Sequence, residues 1–272
     1  MLNDRPISFI ARNMVRPSNY LALLQMIRIY EHPIAGAARY FFGAGEYPCT
    51  MRVRTPMGVK TVTLFHRHDA ITVHEIFCRQ DYRSPSPAQV VVDLGSNIGV
   101  SALYFLTRSP TSFCELYEPD PNNIAKLVTN LKGYEGRFTL HETAVADKSG
   151  VLPFTREPSG RYGSLVAPPT SRPKDAAPGP ECTQDHSTNE RIEVRVEHVN
   201  DVLEQALARH GSIDLLKIDT EGAELATVFA IDPALMPRIR RIVIEWFDRH
   251  VSLDGFDVSS SCDTIMFTNR SL

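Results

Sequence analysis

The chain has 272 residues, with 29 lysines and arginines against 32 acidic residues and a net charge of −3. That length allows one large domain, or one domain with an appendage, and that balance argues against a protein that tracks nucleic acid through bulk electrostatics. The five cysteines, Cys49, Cys78, Cys114, Cys182 and Cys262, are scattered without a C-x-x-C spacing. Neither a disulfide framework nor a zinc knuckle is indicated, and a reducing cytoplasm is the expected location.

In chain order, residues 1–45 read as helical, with Leu21, Leu24, Ile27 and Ile29 near helical spacing as the apolar face. The stretch "YLALLQMIRIY" is interrupted by Gln25 and Arg28, so neither a signal peptide nor a membrane span is expected. "CTMRVRTPMGVKTVTLF" alternates around Pro56-Met57-Gly58 and predicts a hairpin. A short helix through "AITVHEIF" precedes a Ser/Pro linker at "RQDYRSPSPAQ". Residues 1–85 are thereby set off as an appendage expected on the substrate side, and residues 86–272 as the main domain.

In the main domain strands alternate with helices. Val90–Leu94 is followed by an amphipathic helix over Ile98–Leu106, Phe113–Tyr117 by a helix over Asn122–Leu131, and then comes a strand at Phe138–His141. Such alternation predicts an α/β fold with a mostly parallel sheet and helices on both faces. The segment 157–190 is dense in proline, serine and charge and reads as a mobile insertion. "RIEVRVEHV" and a helix over "NDVLEQALARH" return the chain to the sheet. "IDLLKID", a helix from Ala223 and "RIRRIVIEWF" follow, and "CDTIMFTNR" is expected as the closing edge strand. The cluster Arg238, Arg240 and Arg241 reads as a solvated helix-to-strand junction.

The most informative stretch is "VVVDLGSNIGVSALYFL", where a buried strand ends in Asp93 and a turn carrying Gly95 and Gly99 opens a helix. In open parallel sheets ligands sit beyond the carboxyl ends of the strands, and the first strand-turn-helix commonly forms the site. Here Gly95 and Gly99 let the backbone approach a ligand, and Asp93 adds negative charge. The dinucleotide fingerprint G-x-G-x-x-G is broken by Asn97. A ligand with an adenosine end and a cationic rather than phosphorylated centre suits the turn better, and S-adenosylmethionine has that chemistry. Glu118 closes the next strand, where an acidic side chain meets ribose hydroxyls; the alternative is that it caps the helix opening at Pro121.

These residues resemble the FkbM-type S-adenosylmethionine-dependent methyltransferases. The resemblance runs from "FHRHDAITVHEIFCRQDY" through "VVVDLGSNIGVSAL", "YEPDPNN" and "HETAVADKSG" to "LLKIDTEGAELATV" and "IVIEW". It implies a class I methyltransferase sheet. It also implies that Asp93, Gly95, Asn97 and Gly99 surround the methionine part of the donor. Glu118, followed by Pro119 and Asp120, would take the ribose, and Ala144 would lie near the adenine. The chain departs from the family's pattern between "IVIEWFDRHVSLDGFDV" and the terminal "CDTIMFTNRSL", which leave little room for the helix that separates the last strands; the C-terminal fold is therefore open, and activity with it.

Methyl transfer is an in-line displacement that needs an aligned acceptor and a base. Asp219, Glu221 and Glu245 are the base or orienting candidates, with His250 as surface decoration or a further candidate. Glu224 could instead cap its helix, and Lys217 is placed to neutralise neighbours in the sheet. Asp219 and Glu245 at adjacent strand ends could hold magnesium, a thin case with two ligands. The expected reaction is O-methylation of a small-molecule or glycan hydroxyl. No N-P-P-aromatic motif follows Asp219, which disfavours nucleobases. A nicotinamide-dependent oxidoreductase and a non-catalytic cofactor-binding protein are the rival readings.

Overall fold

The computed structural model describes residues 17–156, 163–165, 190–245, 251–261 and 264–272. The described chain forms two compact units that divide after Arg83.

The N-terminal unit contains α1 (Pro17–Ile29), α2 (Pro33–Phe42), the hairpin β1 (Cys49–Thr55) and β2 (Gly58–Leu64), and a short helix α3 (Asp69–Val73) that continues into a π-helical turn at His74–Arg79. The hairpin is in the expected register, Thr55 opposite Gly58 across the Pro56-Met57 turn. The apolar face of α1 is not the one expected. Leu21, Leu24 and Ile27 are exposed, while Ala22, Met26 and the adjoining Tyr30 are buried. Tyr30 bridges to Val53 of β1 and so turns the Ala22 and Met26 side of the helix inward. Helical spacing alone could not choose between these two faces.

The second unit is built on a seven-stranded sheet in the order β11-β12-β10-β9-β3-β4-β5. Its members are β3 (Val90–Leu94), β4 (Phe113–Tyr117), β5 (Phe138–His141), β9 (Leu215–Ile218), β10 (Arg241–Glu245), β11 (Phe256–Ser261) and β12 (Thr264–Asn269). All neighbouring pairs from β5 to β10 are parallel. This is the α/β class I methyltransferase sheet implied by the resemblance. The central strands are mostly apolar and buried because both faces are covered. The chain reverses direction in space between β3 and β9, and this crevice is the topological switch point.

Helix α4 (Val100–Leu106) follows β3, and α5 (Pro121–Asn130) follows β4. Every residue of α4 is buried, so it is a core helix rather than an amphipathic one. Helix α6 (Val199–His210) precedes β9, and α7 (Glu224–Phe229) follows it. The core between sheet and helices includes Leu203 and Leu207 of α6 packed with Leu216, Ile218, Ile242 and Ile244.

The strand at "RIEVRVEHV" does not return to the central sheet. β8 (Glu190–His198) lies between β6 (Ala144–Ala146) and β7 (Gly150–Arg156) in a separate three-stranded sheet with its own small core of Ala144, Ala146, Phe154, Val194 and Val196. The C-terminus differs as well. β12 is not an edge strand but inserts antiparallel between β10 and β11. Its side chains are largely buried, whereas those of β11 after Phe256 face solvent, as suits an edge of aspartate and serine. The sheet is thus completed by a hairpin, which settles the order of the last strands. Of the insertion 157–190, residues 157–162 and 166–189 lie outside the described residues, as does His250. Gly163–Leu165 and Glu190 are described, and Ser164 exchanges two main-chain hydrogen bonds with Thr155 of β7.

Candidate functional site

The carboxyl ends of β3, β4 and β9 meet in one place. After β3 the amides of Gly95 and Ser96 both donate to the Tyr117 carbonyl at the end of β4, each at 3.0 Å. That hooks the first turn over the neighbouring strand. Gly95 has φ +82, and its missing side chain makes room for the Asp219 carbonyl at the end of β9. Gly99 serves packing: a Cβ there would come within 3.1 Å of Leu127 in α5. Both glycines thus admit close protein contacts, and Gly95 also lines the cleft described below.

Asp93 is fully buried and faces into the fold. Its carboxylate lies 2.9 Å from the Lys217 ammonium and accepts a 2.6 Å hydrogen bond from Ser101. Lys217 also reaches Asp219 at 3.1 Å and donates to the Gly95 carbonyl at 2.9 Å. Burial pushes Asp93 up, against the pull of Lys217. Burial alone would lower Lys217, but the Asp219 and Asp93 carboxylates outweigh it and raise it, so the ammonium stays charged. Of this trio, Asp219 is the member that reaches the cleft. The neutralising role expected of Lys217 is therefore present.

Glu118 is buried, and its oxygens accept the amides of Asn97 at 2.8 Å and Asp120 at 3.0 Å. Burial is the main reason that its carboxyl is pushed up to about 7, with Asp120 nearby adding to the rise. The Asn123 side-chain amide adds a long contact at 3.5 Å; a carboxylate offers about four acceptor positions, so three donors do not exhaust Glu118. Asp120 caps α5 through the Asn122 amide and pairs with Arg156 at 3.3 Å, so its work is structural. Glu224 accepts the amides of Thr220 and Gly222 at 3.0 Å and holds the turn before α7, as the capping alternative has it. The arginine cluster is also structural. Arg238 binds the carbonyls of Gly211 and Leu207 after α6, Arg240 pairs with Asp214, and Arg241 is buried against Ser84.

A partly open cleft lies between these strand ends. Gly95, Asn97, Glu118, Pro119, Ala144, Asp219 and Glu221 line it, joined by Tyr117, Asn123, Val145, Phe154, Gly163, Leu165 and Thr220, which the sequence did not single out. Only periodicity in "GVLPFTR" could have flagged Phe154. Asp93, Gly99 and Asp120 stand behind the lining. Glu245 is level with Asp219, one strand across, but outside the lining. A wider, open depression between Gly150, Arg195 and Glu204 lies on the small sheet, away from the strand ends.

The residues present fit an adenosyl donor with a cationic centre. The Thr220 hydroxyl is buried in the cleft turn and has no hydrogen-bond partner among the described residues. Glu118 keeps acceptor capacity, Pro119, Ala144, Val145, Phe154 and Leu165 make an apolar wall, and Asp219 brings a carboxylate to the cleft. Among the described residues no group of three or more His, Cys, Asp or Glu is placed to hold a metal ion. No helix among them is long and apolar enough to cross a membrane.

A mostly parallel sheet with a cleft at the switch point and an acidic residue closing the second strand agree with the methyltransferase fold that the resemblance implies. The family model described as "Methyltransferase FkbM domain" matches residues 93–265, and the chain belongs to that family. It is 30% identical over 176 residues to the 31-O-demethyl-FK506 methyltransferase FkbM of Streptomyces tacrolimicus, a stretch covering 60% of this chain and 66% of the relative. It is 28% identical over 169 residues to the 2-O-methyltransferase NoeI of Sinorhizobium fredii, covering 61% of this chain and 66% of the relative. The match thus spans just under two thirds of either relative's length. The crystal structure of methyltransferase FkbM from Methylobacillus flagellatus aligns with a TM-score of 0.43 at 13% identity, over 74% of this chain and 54% of that one.

Proposed function

We propose that this chain transfers a methyl group from S-adenosylmethionine to a hydroxyl of a sugar, glycan or other natural product. The observation that carries the reading is that Glu118 and Asp219, at the ends of the strands flanking β3, face one cleft across the Asn97 turn. Glu118 would accept the ribose hydroxyls, Asn97 and the Gly95 turn would hold the methionine part, and Pro119, Ala144 and Val145 would border the adenine. When bound, the donor supplies an electrophilic methyl group on a sulfonium. Asp219 orients the acceptor hydroxyl and takes its proton at the carboxylate, while the Lys217 ammonium 3.1 Å away holds that carboxylate in place. Glu221 borders the same space, and Glu245 has no part in this reading. The names of the two curated relatives, both O-methyltransferases, support oxygen as the acceptor atom. The free Cys49, Cys78 and Cys114 fit a reducing, cytoplasmic setting.

The test is tritium transfer from methyl-labelled S-adenosylmethionine across a panel of sugars, glycans and polyketides, followed by Asp219→Asn on any acceptor found. The amide keeps the shape of the strand end but takes no proton. A fall in kcat of at least about 100-fold is expected, in the range of lost general-base catalysis. Near-parental turnover would remove Asp219 from the chemistry.

A further inference from the structure

We infer that Ser164 is a positioning residue for the turn that carries Asp219, so that part of the long insertion belongs to the reacting site. The inference rests on the methyl-transfer reading above. Ser164 is fixed on one side by β7, through the two main-chain bonds that it exchanges with Thr155, each at 2.9 Å. Its hydroxyl donates across the cleft to the Glu221 carbonyl at 2.7 Å. The flanking Gly163 lies against the Phe154 ring, where a Cβ would sit 2.3 Å from the ring edge, and Gly163, Leu165 and Phe154 all line the cleft.

The far end of this bond is a strained turn. Glu221 has φ +51, a left-handed conformation that non-glycine residues adopt at a cost and that persists only when its surroundings fix it. Asn97, on the opposite lip of the cleft, shares this feature. Several main-chain groups of the Asp219–Gly222 turn are held by neighbouring elements. The Asp219 amide donates to Leu94, the Asp219 carbonyl fills the gap at Gly95, and the amides of Thr220 and Gly222 bind Glu224. Those ties come from the strands and helix that flank the turn. The tie at the Glu221 carbonyl arrives instead from a segment 57 positions away, outside the central sheet. The rotation of this turn decides where the Asp219 carboxylate and the unpartnered Thr220 hydroxyl stand relative to an acceptor. Ser164 is therefore the residue through which the insertion sets that rotation, acting on the chemistry through Asp219 rather than by touching the reactants.

The experiment compares the parent, Ser164→Ala and Ser164→Thr, each checked for unchanged melting behaviour. Amide exchange is followed by mass spectrometry in the 215–224 peptide, and S-adenosylhomocysteine affinity is measured by calorimetry. Turnover is added on any acceptor from the panel above. Ser164→Ala is expected to speed exchange at least tenfold within that peptide, to leave the S-adenosylhomocysteine Kd within threefold, and to lower kcat at least tenfold. Ser164→Thr, which keeps a hydroxyl, should return exchange and kcat to within about threefold of the parent. Unchanged exchange in Ser164→Ala overturns the inference. So does a loss of S-adenosylhomocysteine binding as large as the loss of kcat, because the segment would then merely roof the cofactor. A parent that binds no S-adenosylhomocysteine refutes the methyl-transfer reading instead, and the exchange comparison still decides whether Ser164 holds the turn.

Discussion

The main-chain carbonyl of Asp219 occupies the space that a side chain on Gly95 would need: a Cβ there would lie 1.9 Å from that oxygen. The first turn and the turn bearing Asp219 are thus interlocked through their backbones, and the glycine of the motif is there to let protein meet protein. Gly95→Ala should push the 219–222 turn away and strain a φ of +82, destabilising the fold by roughly 3 kcal/mol or more. Urea denaturation reads the loss. A variant within about 1 kcal/mol of the parent would show that the two turns part freely.

Lys217 is the only cation that the trio has at hand-shaking distance from both Asp93 and Asp219 among the described ion pairs. Lys217→Met would leave Asp93 fully buried without its counter-charge, at a cost of about 3–5 kcal/mol. Adding Asp93→Asn to that variant should recover a substantial part of the loss, because the amide carries no charge. Equal stability of the single and double variants would place the damage elsewhere.

Glu115 lies buried in the middle of β4, where His141 and His210 meet its carboxylate at 2.9 and 2.7 Å and Arg209 joins them. Burial opposes its ionisation, but the hydrogen bonds from His141, His210 and Arg209 outweigh that and hold its carboxyl at about 2. A lowered carboxyl stabilises the fold above the ordinary value near 4.5 and loses that contribution as pH falls towards 2. Glu115→Gln should therefore cost about 3 kcal/mol at pH 7. The gap between variant and parent, followed by urea midpoints, should narrow as pH drops from 5 to 3; a gap independent of pH would contradict it.

The strands that build the cleft were legible because β3, β4 and β9 are short, buried, mostly apolar runs with an acidic residue at or just beside their carboxyl ends. Glu118, Asp219 and Asn97 could be placed at the ligand end for the same reason. The pairing of Asp93 with Lys217 could not be read from the sequence. A strand-end carboxylate looks alike whether it faces a ligand or a lysine, and its partner Lys217 lies 124 positions on. Glu115 stayed hidden in "CELY" because its imidazole and guanidinium partners come from β5 and α6. The small sheet was missed because β6 spans three residues and β7 carries a proline. The order of the last strands turned on which of two short segments was buried on both faces, and a list of segments in chain order does not contain that information.

The raised carboxyl of Glu118 gives the donor site a pH dependence. In the ligand-free fold Glu118 holds its proton up to about 7, whereas the unfolded chain releases it near 4.5. The folded state thus binds more protons between those values, and this group's contribution to stability falls as pH rises through that window. Hydroxyl donors favour the ionised carboxylate. S-adenosylhomocysteine affinity should accordingly rise several-fold from pH 6 to pH 8 in the parent and change little in Glu118→Gln. The same slope in both proteins would assign the dependence to another group.

The claim that the cleft between β3, β4 and β9 holds the methyl donor, with Glu118 on its ribose, is tested most directly by titrating S-adenosylmethionine into the parent and Glu118→Ala under calorimetry. The parent should bind one equivalent, and Glu118→Ala should bind about 5- to 150-fold more weakly, the loss of about 1–3 kcal/mol expected when charge-assisted hydrogen bonds are removed. A parent that binds no donor, or a folded Glu118→Ala that binds it as tightly as the parent, would contradict the assignment.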